Sequence, residues 1–295
     1  MPLFLSVFFG DFLIILYNNE GMYFLVESDI SIIVGFCFLV PPQSIIRKRE
    51  SMQSNNPILT RADVYSDGAQ PMTVQGAIQK SILLTVIAAV VGISLFFYCL
   101  LTMNMSIAYG AALVGAIGGF ILAMVTTFKP NTARTLAIPY ALFEGAFLGG
   151  ISMIFQMKYP GVPVKALLAT FITTLVMFAL YRAKIIRATE KFKSVIISAS
   201  IAIALVFVVQ FVMSLAFSSS IPYVFENNWL GIGFAAFVAI IASLSLILDF
   251  DLIESAAAQQ APKVTEWLCG IALLATLVWM YFSFLRLIGF LGSDD

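Results

Sequence analysis

Apolar residues run along this chain in seven long blocks, separated by short polar or turn-forming breaks. A helix needs about 20 apolar residues to cross the hydrocarbon core of a bilayer. The blocks that meet this length are Ser81–Leu101, Ile107–Phe128, Thr135–Met157, Val164–Tyr181, Ser194–Phe217, Leu230–Leu248 and Trp267–Leu291. The breaks carry helix-ending chemistry: Thr102-Met103-Asn104-Met105-Ser106, Lys129-Pro130-Asn131, Tyr159-Pro160-Gly161 and Ser218-Ser219-Ser220-Ile221-Pro222. The pattern predicts an all-α membrane protein, a bundle of seven transmembrane helices. None of the breaks is long enough to fold as a separate soluble domain. Helix-favouring residues from Glu254 to Gln260 extend the sixth block past Asp249 towards Pro262, where a helix must stop.

Placement of Lys and Arg sets orientation. If the first span enters from the cytoplasm, the inner side holds Arg61, Lys80, Lys129, Arg134, Arg182, Lys184, Arg187, Lys191, Lys193 and Lys263. The outer side holds only Lys158, Lys165 and Arg286. The bias predicts a cytoplasmic amino end and an external carboxyl end. The run from Arg182 to Lys193 reads chiefly as a topology anchor, with docking to anionic lipid or a protein partner as its other role.

The amino end departs from this pattern. Leu3–Tyr17 is apolar but short, broken by Asp11 and without a basic leader, so it makes a poor signal peptide. Ile30–Val40 is too short to span. Met52 then opens a polar stretch typical of a cytoplasmic start. The expected organisation is therefore a non-native or additional extension over residues 1–51, a cytoplasmic leader over 52–80, the membrane domain over 81–291 and a short tail over 292–295.

Composition agrees with a membrane solvent. The chain has 295 residues, 61% hydrophobic and only 11% charged, where soluble domains carry roughly 25% charged residues. A net charge of zero and the lack of a basic tail argue against nucleic-acid binding. Cys37, Cys99 and Cys269 lie scattered in apolar stretches and read as small buried hydrophobes. Histidine is absent, which excludes His-based zinc proteolysis and leaves any pH response to carboxylates. No glycine-rich phosphate loop is present, and no cofactor is expected. Small-residue pairs Gly115/Gly119 and Gly145/Gly149, with Gly150, suit close packing of helices within one subunit. Gly231 and Gly233 open the sixth span, and Pro139 near the start of the third is tolerated where an N–H would lack a partner.

Charges at membrane depth cost about 2.5–3.5 kcal/mol on insertion scales and usually serve a watery path or a partner. Asp249 and Asp251 end the sixth block, about 200° apart on a helix, while Asp251 and Glu254 share a face. Glu144 falls near the middle of the third span. A path lined by Glu144 and Asp249 would suit a hard cation, which prefers oxygen ligands. Asp251 and Glu254 also read as solvated interfacial carboxylates, and Glu144 as a hydrogen-bonding group between helices. Arg286 reads either as a neighbour of Asp249 or as a cation reaching the outer interface. An aspartyl peptidase needs two opposed aspartates on different helices, and the only Asp pair here lies on one helix. The chain is not expected to be an enzyme.

Four motifs occur in order: Met72-Thr73-Val74-Gln75-Gly76-Ala77-Ile78-Gln79-Lys80, Pro139-Tyr140-Ala141-Leu142-Phe143-Glu144-Gly145, Tyr181-Arg182 with Thr189-Glu190-Lys191-Phe192, and Leu248-Asp249-Phe250-Asp251. In these the chain resembles the bacterial Bax inhibitor-1-like branch of the transmembrane Bax-inhibitor-motif superfamily, over about Met52 to Leu291. The resemblance implies a seven-helix bundle with the last helix central, and a pH-sensitive calcium leak. It further implies a gate in which a sixth-helix acid, here Asp249, pairs with a seventh-helix acid. That second acid is missing between Trp267 and Gly292, where a loose alignment places Ser283. Ser283, Arg286 and Glu254 are the candidate substitutes. The competing reading is a non-conducting regulator that binds other membrane proteins, such as a membrane-anchored protease, through the leader and the Arg182–Lys193 loop. The expected setting is the lipid bilayer of a bacterial inner membrane.

Overall fold

The computed structural model describes residues 71–217, Val224 and residues 227–292. The expected extension over residues 1–51, the leader up to residue 70, the Ser218–Pro222 break and the tail from residue 293 lie outside the described residues. The described chain forms seven long helices: α1 (Val74–Thr102), α2 (Met105–Phe128), α3 (Ala133–Lys158), α4 (Val162–Arg182), α5 (Glu190–Phe217), α6 (Trp229–Ala258) and α7 (Thr265–Leu291). All seven are long and apolar enough to cross a membrane.

Local chemistry sets the ends. Thr73 caps α1 by accepting a hydrogen bond from the Gly76 N–H at 2.9 Å, so the helix begins at Val74, ahead of the continuous apolar block. Residues 74–80, expected in the leader, are therefore the first two turns of α1. Between α1 and α2 only two residues intervene: Met103 takes a left-handed conformation (φ 49°) and Asn104 caps the Ile107 N–H. A single 3₁₀ turn, Pro130–Thr132, joins α2 to α3. Gly161 turns the chain from α3 into α4 with φ 81°, and Gln156 Oε1 accepts from its N–H at 3.0 Å. Asn228 caps α6, which runs on to Ala258 as its helix-favouring tail predicts. Pro139 stands in the interior of α3 rather than at its first turn, because the helix begins earlier, at Ala133. It leaves the Thr135 carbonyl without its helical donor.

The last helix is the hub. Helix α7 is the most buried of the seven and packs against α1, α3, α4 and α6, while α2 lies against α3 and α5 against α6. The glycine pairs carry these close approaches inside one chain. A Cβ on Gly115 would strike the Phe147 backbone of α3, and one on Gly145 or Gly149 would come within 2.7 Å of the Ala88 or Gly92 carbonyl of α1. One on Gly150 would lie 2.5 Å from the Ala108 carbonyl of α2. Gly233, by contrast, faces open space. Dispersion between closely approaching backbones holds such bundles together, since the lipid supplies no hydrophobic drive between helices. A 2.7 Å hydrogen bond between Ser152 and Tyr281 joins α3 to α7.

Candidate functional site

Asp249 sits on α6 facing α7. Its Oδ2 is sealed from solvent and has no hydrogen-bond donor among the described residues. The group opposite is the Thr276 hydroxyl of α7, close enough to interact with the carboxylate. That hydroxyl also reaches the Ala272 carbonyl at 3.2 Å. A threonine hydroxyl carries one proton and two lone pairs. It can therefore donate to an ionised Asp249, or accept from a protonated one while donating to Ala272. One side chain thus accommodates both charge states of the aspartate.

The register of the antiparallel α6–α7 pair explains why Thr276 holds this place. Ser243 meets the Met280 sulfur at 3.6 Å, and Asp249 meets Thr276. Ser283, which the loose alignment placed opposite Asp249, lies two turns further along α7, about 10 Å away along the helix axis. Its hydroxyl is spent on the Trp279 carbonyl of its own helix. Arg286 lies about 15 Å beyond Thr276 along the axis. It is buried, donates to the Val224 carbonyl at 3.2 Å and stacks against Phe234 and Phe290. It stands well away from Asp249 and ties Val224, ahead of α6, to the end of α7.

The other acids fall into separate places. Asp251 pairs with Lys193 of α5 at 2.8 Å, and Lys193 also reaches Glu190 at 3.3 Å. Glu254 accepts from the Tyr181 hydroxyl of α4 at 2.8 Å. Phe250, between them, packs on the rings of Phe178 and Tyr181. This end of α6 is thus held to α4 and α5, on the face turned away from Asp249. Glu144 is buried between α3 and α2, where a Cβ on Gly119 would lie 2.9 Å from its Oε1 and the Tyr140 hydroxyl one turn earlier reaches its carboxylate. Glu144 and Asp249 therefore occupy different helix interfaces rather than one lined path. Among the described residues no group of three or more acidic or cysteine side chains converges on a metal site.

One charged centre is not legible from the spans: Glu266, in the first turn of α7. Only 2% of its side chain is exposed. Its Oε1 accepts from the Thr73 N–H at 3.0 Å and from the Thr73 hydroxyl at 3.4 Å, and its Oε2 pairs with Lys80. Lys80 also lies over the Trp267 ring, 5.3 Å from its centre. Gly76 leaves the room that the Glu266 carboxylate fills, since a Cβ there would meet its Oε1 and displace it from Thr73 and Lys80. The Met72 N–H adds a 2.8 Å bond to the Ala261 carbonyl in the α6–α7 turn. The Met72–Lys80 motif is thus a clasp between the start of α1 and the start of α7. Its sequence signal was present, as a Thr-x-x-Gly-x-x-x-Lys spacing that puts cap, gap and cation on one side of a helix. What the sequence withheld was the partner, 186 residues away.

Seven membrane-length helices, the last of them buried among the others, with an aspartate oxygen shut off from solvent beside it, define a polytopic membrane protein. The profile of the family described as Bax inhibitor 1 like matches residues 46–293, and the chain belongs to that family. A comparison with curated proteins returns no significant match.

Proposed function

We propose that this chain is a cation leak, for calcium in the first instance, in a bacterial inner membrane with its amino end in the cytoplasm. Its gate is the α6–α7 interface, and protonation of Asp249 moves the gate. The observation that carries the reading is Asp249 between two helices, with one carboxylate oxygen shut off from solvent and unpaired and a bifunctional hydroxyl opposite it. A buried group that changes charge alters the helix packing each state prefers, because an unpaired buried charge costs several kcal/mol, by an order-of-magnitude estimate. The resemblance to pH-sensitive leak channels supports the same assignment, with Thr276 standing where a second acid would provide the proton-sharing partner. A single carboxylate attracts a hard cation without trapping it, as conduction requires. The proposed role is not enzymatic.

Calcium flux into dye-loaded liposomes holding the purified protein tests this at mildly acidic, neutral and mildly alkaline pH. Flux should vary with pH in the wild type, and Asp249→Asn should flatten that dependence. Thr276→Val, which keeps the shape and removes the hydroxyl, should shift it. Flux that is indifferent to Asp249→Asn at every pH removes Asp249 from the mechanism. Silence from folded protein transfers the assignment to the regulator that binds membrane proteins through its exposed loop around Arg187.

A further inference from the structure

The clasp lies at the same end of the α6–α7 pair as Asp249, with Glu266 about 15 Å from Thr276 along the axis of α7. Cys269 is buried on α7, one turn from Glu266 and towards Thr276, and both Glu266 and Asp249 act on it electrostatically. It belongs to a small apolar core in which Met72 and Ala77 from the clasp pack with Leu252, Ile253 and Ala256 of α6. The start of α1 is therefore laid across the α6–α7 pair at the end nearest Asp249. It is fixed there by the Lys80–Glu266 ion pair, the two Thr73 bonds and the Met72–Ala261 bond.

We infer that the Lys80–Glu266 clasp is a cytoplasmic seal over Asp249, and that ions reach the aspartate from that side only when the start of α1 lifts off α7. The inference rests on the leak reading for what passes, but the seal itself is a statement about access. Three features distinguish it from ordinary helix packing. Glu266 has every oxygen committed to one short segment rather than to its helix neighbours. That segment is held mainly by polar bonds and a handful of small apolar contacts, separate from the main core. Lys80 keeps 19% of its side chain exposed, so water reaches the edge of the pair from which it would open.

Cys269 serves as the reporter, since it lies under the clasp. The full chain with Cys37 and Cys99 replaced by serine is placed in lipid nanodiscs, and the rate of maleimide labelling of Cys269 is measured. Lys80→Met, which preserves the chain length and removes the charge, should speed labelling about tenfold or more, as expected when a buried ion pair is broken. Lys80→Arg keeps a cation for the carboxylate and should label slowly, as the parent does. Ile82→Ala, two residues further along α1 and at an exposed position, is the control and should change nothing. Size-exclusion profiles matching the parent show that the variants fold. Labelling that stays slow in folded Lys80→Met overturns the seal, whatever the flux. Fast labelling with calcium flux also raised in liposomes confirms the seal as a gate of the leak. Fast labelling while flux stays at the parent's level overturns the gating role. If parent and Lys80→Met both leave liposomes silent, the leak reading falls, and fast labelling still establishes the seal.

Discussion

At the scale of single residues, the chain separates carboxylates that look alike in sequence. Asp249 and Asp251 are two positions apart, yet one is sealed against Thr276 and the other is paired with Lys193. Helical geometry foretold that they face different ways, but only the packing of α7 and α5 decided what each one meets. Glu266 shows the opposite failure. It stands just outside the most apolar window, so a search for charges within spans passes it over, although it is more deeply buried than any of the acids that search singles out. Its replacement should be costly. Glu266→Ala leaves Lys80 without a partner and the Thr73 N–H without an acceptor. It should lower stability by about 3 kcal/mol, the low end for breaking a buried pair because Lys80 retains some water. Glu266→Gln keeps an acceptor for Thr73 and should lose about 1–2 kcal/mol. Thermal unfolding in detergent, followed by circular dichroism, ranks the two; equal losses would mean that the Thr73 bonds contribute nothing.

At the scale of elements, the seven helices were legible because hydrophobic length is a direct demand of the bilayer. Their ends were less so. The Ser81 start misses two turns of α1, since Gln75, Gln79 and Lys80 are polar and the cap at Thr73 is a local signal that hydropathy ignores. Glycine spacing gave the close contacts but not their partners: Gly115 opens on α3, Gly145 and Gly149 on α1, and Gly233 on nothing. This difference makes a prediction at the level of helix pairs. Gly115→Leu and Gly150→Leu should each push α2 away from α3 and cost about 1–3 kcal/mol or more, as overpacking does. Gly233→Leu, with empty space before it, should be neutral within about 0.5 kcal/mol. Melting temperatures of the three variants beside the parent provide the test, and a Gly233→Leu loss equal to the others would refute the assignment of interfaces.

At the scale of the whole molecule, the order of packing explains the site. Helix α7 touches four others, so a change at the α6–α7 interface is felt by α1, α3 and α4 as well. Helix α5 leans chiefly on α6, through Lys193 and its apolar face. The arrangement around a central last helix was implied by family resemblance and by nothing in the periodicity, because apolar blocks do not say which neighbour they will choose. Orientation rests on the cation bias, and it too is measurable. Single cysteines at Lys184 and Lys165 should label from opposite faces of intact cells, Lys184 from the cytoplasm and Lys165 from outside; the reverse would invert the topology. The clasp has a last consequence, in the order of synthesis. Lys80 leaves the ribosome early and Glu266 late, and chains are built from the amino end. While the first six helices insert, Lys80 is a positive charge at the start of the first span, without the partner that α7 will bring. Arrival of the final helix neutralises it. The same ion pair thus records that translation has reached α7, and a chain truncated before Glu266 keeps a bare lysine at the membrane surface.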